Sequence, residues 1–300
     1  MRSTRRASPI AFTTAGYVRQ AVKQCPETPA LGDAEFSGHV WVQEHPTGGT
    51  FRFQVAASGL VTFATAQRTF DTAAAVPPQF RRAATAIDER LDRDALAAAT
   101  DDPSDVTFCG IATREEGVEY DWGSVPPFVG VDVWSGRHAQ FLSPDSATGV
   151  FGRLGIPTLP AIEKELAAAH ADFTRYEDAS ELPQSAWRDG HAAGVLIRDK
   201  SGERAVAWRS EPSGAPALEP HSAAELAAAY ASDERIERTL TALRSGGYSL
   251  TVDAIRDRLV ADVARESYVD LFSDGAFVAS LPAFKSAVAE RVQRHQFTED

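Results

Sequence analysis

The pentapeptide Glu44-His45-Pro46-Thr47-Gly48 contains the residues of this chain that come closest to a reactive site. An imidazole is a competent nucleophile that titrates near neutral pH, so His45 beside the carboxylate of Glu44 is a candidate for covalent catalysis. A lone histidine next to a proline at the end of a strand is more often a surface residue. Both interpretations of His45 stay open at this point.

Lysine, the usual amine nucleophile of covalent catalysis, is missing from the same region. The chain has four lysines, and none lies between Lys23 and Lys164. Arginine cannot replace lysine, because its guanidinium group stays protonated at neutral pH and is a poor nucleophile. The sequence also lacks the HExxH, GxSxG and Walker motifs, so it offers no other familiar chemistry.

The pentapeptide lies in a stretch, residues 36–70, that alternates apolar and polar side chains. Three alternating runs, residues 40–42, 51–55 and 60–63, are separated by glycine-containing breaks. Alternation with a period of two, interrupted by glycine turns, is typical of antiparallel strands with one buried face. The stretch is therefore predicted to form an antiparallel meander.

Several segments resemble the RNA ligase family of covalent nucleotidyltransferases. The family has Glu-Lys-x-Asp-Gly where this chain has residues 44–48, and Phe-x-Gly-Glu where it has residues 108–111, FCGI. The Tyr-Asp-Trp and Pro-Pro-Phe loop of the family matches residues 120–128 closely, and the strand after it matches residues 128–134, FVGVDVW. The glycine and the Ile-Arg end of the Glu-Gly-Val-Val-Ile-Arg motif are kept in residues 193–198.

The resemblance also shows which groups are missing. The family lysine that takes the nucleotide is His45 here, and its acidic partners read Thr47, Ile111 and Ala193. The lysine of the last motif, which touches the transferred phosphate, is Val206. Isoleucine and alanine cannot ligate a metal ion, so the resemblance implies a ligase scaffold that has lost self-adenylation.

The resemblance implies candidates for a nucleotide pocket at positions where the family motifs survive. Asp132 is the one motif carboxylate that survives beyond Glu44, and it is expected either to tie down a strand end or to line the old pocket. Arg68 is placed where the family contacts the nucleotide sugar; a solvated arginine at a strand end is the alternative. The full set of pocket candidates is Glu44, Gly48, Arg68, Asp132, Trp134, Gly194 and Arg198. No metal ligand is assigned.

The predicted fold class is α+β. An antiparallel-sheet nucleotidyltransferase domain (ATP-grasp-like) spans residues 16–211, after a disordered start at 1–15, and a small helical domain follows at 221–300 after a linker at 212–220. In the first domain, helices are predicted at 17–24, 80–99 and 162–173. In the second, a capping box at Ser222 and helical spacing of apolar residues predict four helices.

The composition constrains where the protein works and what it contacts. A net charge of −12, few lysines and many aspartates resemble proteins from salt-loving microbes, and a local arginine patch can still bind nucleic acid. No apolar run approaches the length of about 20 residues that a membrane span needs, so no membrane contact is expected. Cys25 and Cys109 stand far apart without a ligand pattern, which disfavours a disulfide or a zinc site and favours a cytoplasmic setting.

Three functions follow, in order of preference. The first is an RNA ligase-type scaffold that cannot self-adenylate and serves as an RNA- or nucleotide-binding accessory protein, without a cofactor. The second is an active nucleotidyltransferase that uses His45 as nucleophile, with ATP and Mg²⁺. The third is an unrelated α+β binding module. RNA is the expected partner, and no protein partner is assigned.

Overall fold

A computed structural model describes residues 22–32, 34–209 and 222–298, with side chains to residue 295. The strands of the first domain are β1 (His39–His45), β2 (Gly48–Val55), β3 (Val61–Ala64), β4 (Thr69–Phe70), β5 (Val106–Thr113), β6 (Phe128–Ser135), β7 (Gln140–Phe141), β8 (Ala161–Ala167), β9 (Gly194–Asp199) and β10 (Arg204–Trp208). Its helices are α1 (Pro78–Arg90), α2 (Arg93–Ala99) and α3 (Pro144–Arg153). The predicted α+β class is confirmed.

The strands form two antiparallel sheets. The larger has the order β4-β3-β2-β5-β6-β7, and the smaller has the order β10-β9-β1-β8. Alternate residues of the larger sheet, among them Phe51, Phe53 and Phe108, point to one face and pack with α1 and α3 in a phenylalanine-rich core. Gly130 of β6 allows Phe151 of α3 to lie flat on this sheet, because a Cβ at residue 130 would stand only 2.6 Å from its ring.

The predicted meander is wrong for its first strand. β2 and β3 pair with each other, but β1 pairs with β8 and β9 in the other sheet. The break at Pro46 and Thr47 is therefore a crossover between sheets and not a hairpin turn. Nearly every residue of β1 is buried, since this strand lies in the interior of its own sheet.

The helix predicted at residues 162–173 is also wrong. Residues Ala161–Ala167 form β8, the edge strand beside β1, followed by a short 3₁₀ turn at Ala168–His170. Ile162 and Leu166, four residues apart, suggest a helix, yet both pack partly buried on the core of the smaller sheet. A left-handed residue, Glu165 (φ 54°), and register shifts against β1 break the alternation that would have marked a strand.

Two other helix predictions need correction. The helix predicted at 80–99 is divided at Leu91 into α1 and α2, because the Asp92 side chain accepts a hydrogen bond from the Ala95 N–H and starts a new helix. Of the helix predicted at 17–24, residues 17–21 lie outside the described residues, and residues 22–24 are not helical.

A disulfide joins Cys25 to Cys109, contrary to the prediction from the sequence. The Cα atoms lie 5.8 Å apart although 84 residues separate the two cysteines along the chain. Cys109 points away from the phenylalanine core, toward the face that residues 22–26 cross. Arg52 on the same face donates hydrogen bonds to the carbonyls of Val22 (3.0 Å) and Lys23 (2.8 Å), so this segment is held at several points. The expected cytoplasmic setting loses the support that it drew from unpaired cysteines.

The C-terminal part contains α4 (Ala223–Tyr230), α5 (Asp233–Ser245), α6 (Val252–Glu266), α7 (Tyr268–Leu271), a two-stranded hairpin of β11 (Phe272–Ser273) and β12 (Ala276–Phe277), and α8 (Leu281–Thr298). The four predicted helices are present, and the capping box of Ser222 and Glu225 is formed. The helices share an apolar core of their own, which includes Ile236, Leu259 and Val288. The predicted linker at 212–220 lies outside the described residues, and the domain boundaries stay a prediction.

The two parts meet along α1 and α6. Arg82 of α1 forms an ion pair with Asp262 of α6 (Nε···Oδ1 2.6 Å). Arg265, also in α6, reaches into the first domain and donates hydrogen bonds to Thr113 Oγ1 (2.9 Å) and the carbonyl of Val125 (2.7 Å). Among the described residues, no helix has the length and apolar character needed to cross a lipid bilayer.

Candidate functional site

The candidate site lies where the two sheets face each other, around the end of β1. Glu44 is buried there and pairs with Val195 of β9. Its carboxylate accepts hydrogen bonds from the Ser185 hydroxyl and from the Ala186 N–H (2.8 Å). Burial raises the pKa of Glu44, while these two donors and the nearby Arg188 partly oppose that rise. Glu44 thus anchors the loop of residues 184–191.

His45 is half-buried and packs against Trp208. Its ring makes an edge-to-face contact with the indole (centroids 4.7 Å apart), and Nδ1 lies 2.9 Å from the Pro46 carbonyl. A carbonyl can only accept, so Nδ1 carries the proton and Nε2 the lone pair. Burial lowers the pKa of His45 to about 4, so the ring is neutral at pH 7.

Two residues that occupy positions where the family motifs have an acidic residue lie in one apolar cluster between the sheets. Ile111 of β5 and Ala193 before β9 pack there with Trp187, and all three are buried. The remaining members are Tyr120, Val125, Val129, Val131, Leu159 and Leu196. Apart from the Tyr120 hydroxyl, the side chains of this cluster are apolar and offer no oxygen to a metal ion. Across the described residues, no group of three or more histidine, cysteine, aspartate or glutamate side chains could hold a metal.

Two loops close over this cluster and hold each other in place. The Asp121 N–H donates to the Trp187 carbonyl (3.0 Å), which joins the loop after β5 to the loop before β9. Thr47, at the position of a family aspartate, donates from its N–H to the Tyr120 hydroxyl (2.9 Å). Burial raises the pKa of Tyr120, so this hydroxyl stays protonated at neutral pH. Sequence reasoning missed Trp187 and Ser185, whose role depends on the loop being folded back onto β1.

Asp132 connects the two sheets. It lies in β6 and is 3% exposed; its carboxylate contacts Arg198 of β9 (2.9 Å) and Arg204 of β10 (2.8 Å). Arg198 also donates from Nε to Gln43 Oε1 (2.8 Å) and from Nη1 to the Val131 carbonyl (2.8 Å). Of the two expectations for Asp132, the geometry favours the structural one. Burial lowers the pKa of Arg198 to about 10, which leaves it charged at pH 7.

Of the remaining pocket candidates, Gly194 lies beside His45, whereas Gly48, Trp134 and Arg68 belong to the larger sheet or its turns. Gly194 pairs with His45, and a Cβ there would approach Trp208 within 2.6 Å. Gly48 (φ 151°) begins β2, where a Cβ would collide with the Ala112 carbonyl. Close packing thus accounts for both glycines. Trp134 is half-buried under Lys23, whose Nζ lies 4.1 Å from the ring centroid, and Arg68 lies in an exposed turn at the outer edge of the larger sheet. The structure thus brings Asp132 and Arg198 into contact, whereas Arg68 lies away from both of them. Contacts between any of these residues and a nucleotide stay predictions.

The structure is similar to solved RNA ligases. Form 1 of an archaeal ATP-dependent RNA ligase aligns at 16% sequence identity with a TM-score of 0.46, and the alignment covers 91% of this chain and 65% of the ligase. Form 2 aligns at 16% sequence identity with a TM-score of 0.45, covering 82% of this chain and 64% of the ligase. A Naegleria gruberi RNA ligase, the K326A mutant with ATP and Mn, aligns at 14% sequence identity with a TM-score of 0.42, covering 57% of this chain and 49% of the ligase. The likeness is one of fold.

This chain spans between about half and just under two thirds of the ligases that it matches. The sequence matches no model of a known protein family and no curated protein. These structural neighbours belong to the family that the sequence motifs resemble, and at such low identity they say nothing about activity.

Proposed function

We propose that this chain is an RNA ligase-like domain that forms no covalent nucleotide adduct and serves as an RNA- or nucleotide-binding accessory protein. The apolar cluster that contains Ile111, Ala193 and Trp187 supports the first half of this proposal most directly. In the resemblance to the family, Ile111 and Ala193 replace acidic residues. In this chain their side chains pack together in that cluster, and the hydrogen bond from Asp121 to Trp187 joins the two loops beside it.

The surviving motif residues support the same conclusion, because each already has a protein partner. Glu44 holds the loop that carries Trp187, and Asp132 is ion-paired with both Arg198 and Arg204. A carboxylate engaged by two buried guanidinium groups would have to give up both ion pairs to bind a cation. Nucleotidyl transfer needs charge on the transferred phosphate to be neutralised by metal or cations, and neither carboxylate is placed to support that.

A covalent-adduct assay tests the first half. The full chain is incubated with α-labelled ATP or GTP and Mg²⁺ or Mn²⁺ at high salt, denatured and analysed for bound label. We expect no label on the protein. An acid-labile adduct that is lost in His45→Ala would overturn the proposal in favour of an active transferase with a histidine nucleophile.

An RNA-binding assay tests the second half. Single-stranded RNA is titrated with the protein in gel-shift experiments at several salt concentrations up to the molar range, since phosphate contacts by arginine weaken as salt rises. We expect a shifted species whose affinity falls with salt. Absence of any RNA or nucleotide binding at every salt concentration would contradict an accessory role in RNA metabolism.

A further inference from the structure

A cavity lies where the first domain meets the C-terminal helices, away from the space between the sheets. It encloses about 420 Å³ between α1 and the loop of residues 122–127 on one side and α5 and α6 on the other. A volume of this size is within the range of small-ligand pockets. Its charged lining consists of Arg82, Arg90, Arg238, Arg258, Arg265, Asp262 and Glu266.

Positive charge dominates this cavity although the chain as a whole carries a net charge of −12. Five guanidinium groups line it against two carboxylates, an excess of three positive charges. Glu89 at the end of α1 interacts with Arg82 as well, and counting it leaves an excess of two. Concentrated positive charge in a partly enclosed cavity attracts anions, because field lines are focused between low-dielectric walls.

The two carboxylates are each shared between arginines. Asp262 pairs with Arg82 (2.6 Å) and with Arg258 (2.9 Å). Glu266 pairs with Arg238 (2.5 Å) and lies 3.6 Å from Arg235. Their negative charge is thus divided among four guanidinium groups and cannot neutralise the cavity.

Arg265 and Arg82 carry the clearest signs of incomplete neutralisation. Arg265 is buried (3% exposed), so its positive charge would be expected to have a carboxylate partner. Within the described parts of the chain, however, it is hydrogen-bonded to uncharged oxygens and contacts no carboxylate. Burial, and next the charge of Arg82, lowers the pKa of Arg265 to about 10, although the nearby carboxylates of Asp262 and Glu266 partly oppose this shift. Nη1 of Arg82 is buried and has no hydrogen-bond partner among the described residues. An anion in the cavity would lie close to both guanidinium groups and would offset part of their positive charge.

An aromatic side chain lines the same cavity. Trp122 is half-buried, and the guanidinium carbon of Arg265 lies 4.7 Å from its ring centroid. Arginine beside a partly accessible indole is a combination that binds a phosphate together with a stacked base. Neither Trp122 nor these arginines were singled out by the sequence as a site, because α1, α5, α6 and the loop are far apart along the chain.

We propose that this cavity binds a nucleoside monophosphate group, with its phosphate among the arginines and its base against Trp122. Free nucleotide and the phosphorylated end of an RNA chain share this chemistry, and the experiment separates them. Naming a nucleotide as the ligand rests on the proposed function, whereas the anion site itself rests on the geometry of the cavity.

Binding is measured by calorimetry on the full chain with five probes: inorganic phosphate, AMP, adenosine, and one short RNA with either a 5′-phosphate or a 5′-hydroxyl. We expect AMP to bind more tightly than phosphate, adenosine to bind weakly, and the 5′-phosphate to strengthen RNA binding. The variants are Arg90→Gln and the double variant Arg90→Gln/Arg238→Gln, since both side chains are exposed enough to be replaced without unfolding. Arg153→Gln, an exposed arginine of α3 outside the cavity, is the matched control.

Arg90→Gln should weaken AMP binding about tenfold and the double variant further, with Arg153→Gln unchanged. Trp122→Ala should weaken AMP but leave inorganic phosphate binding within about twofold, which separates a stacking role from a structural one. If the double variant bound phosphate and AMP as tightly as the wild type, the cavity would not be the binding site.

The outcomes also distinguish the two proposals. RNA binding that is insensitive to the double variant would leave the proposed function standing and remove this site. AMP binding that depends on Arg90, with no binding of either RNA, would support the site with free nucleotide as its ligand and contradict an RNA partner. No binding of any probe would contradict both.

Discussion

Asp132 and Arg204 form a two-point ion pair between the sheets, with Arg204 Nη1 2.8 Å from Oδ2 and Nη2 3.0 Å from Oδ1 of the carboxylate. The same carboxylate also receives a hydrogen bond from Arg198 (2.9 Å). The sequence allowed Asp132 either a structural role or a place in a nucleotide pocket. In the structure its carboxylate joins β6 to β9 and β10. Glu44, Thr47 and Arg198 are further motif positions whose polar groups are engaged in holding the fold.

Asp132→Asn should destabilise the protein strongly. Loss of the carboxylate charge leaves two buried guanidinium groups uncompensated, at a cost of about 3–5 kcal/mol in the free energy of unfolding. Urea unfolding followed by circular dichroism measures this change, and Asp101→Asn, an exposed aspartate, is the control. A loss below about 1 kcal/mol would show that solvent reaches the pair.

Ile111→Glu, which restores the family glutamate, should destabilise this chain instead of repairing a site. The new carboxylate would be buried among Trp187, Ala193 and other apolar side chains, at a cost of about 3 kcal/mol or more. Thr50→Glu on the neighbouring strand is the matched control, because Thr50 pairs directly with Ile111 and is exposed. Equal thermal stability of the two variants would mean that the space between the sheets is open to water.

His45 should make stability depend on pH. Its pKa in the folded protein, about 4, lies below the ordinary value of 6.5, so the unfolded chain takes up a proton first as the pH falls. The stabilising contribution is complete above pH 6.5 and is lost between pH 6.5 and 4, by at most about 3 kcal/mol.

Denaturant unfolding at pH 7.5 and pH 5 measures this effect in wild type and in His45→Gln. The variant should lose part of the pH dependence, whereas His138→Gln, an exposed histidine, should keep all of it. An NMR titration that gives His45 a pKa near 6.5 would refute the burial of its ring.

The disulfide should be detectable by thiol counting. Because the chain has two cysteines, alkylation of unfolded protein prepared without reductant should label neither of them. In the chain-entropy model, opening a cross-link that spans 84 residues costs about 4–5 kcal/mol, so reduction should lower the melting temperature clearly. Two free thiols in folded protein would contradict the pairing, and Cys25→Ser should match the reduced wild type in stability.

The sequence by itself determined much of the local structure and part of the chemistry. Alternation predicted β2 and β3, and the capping box at Ser222 predicted where α4 begins. These features depend on neighbouring residues, so they can be recognised without the fold. The missing lysine between Lys23 and Lys164 is likewise certain from the sequence, since no fold can supply a side chain that the segment lacks.

Tertiary structure alone decided which segments meet. It placed β1 in a different sheet from β2, turned residues 161–167 into an edge strand, and brought Cys25 to Cys109. It also brought Arg82 of α1 next to Asp262 of α6 and gathered five arginines around one cavity. Partners of this kind are chosen by burial and charge compensation between segments that are distant along the chain, and local sequence periodicity carries no information about them.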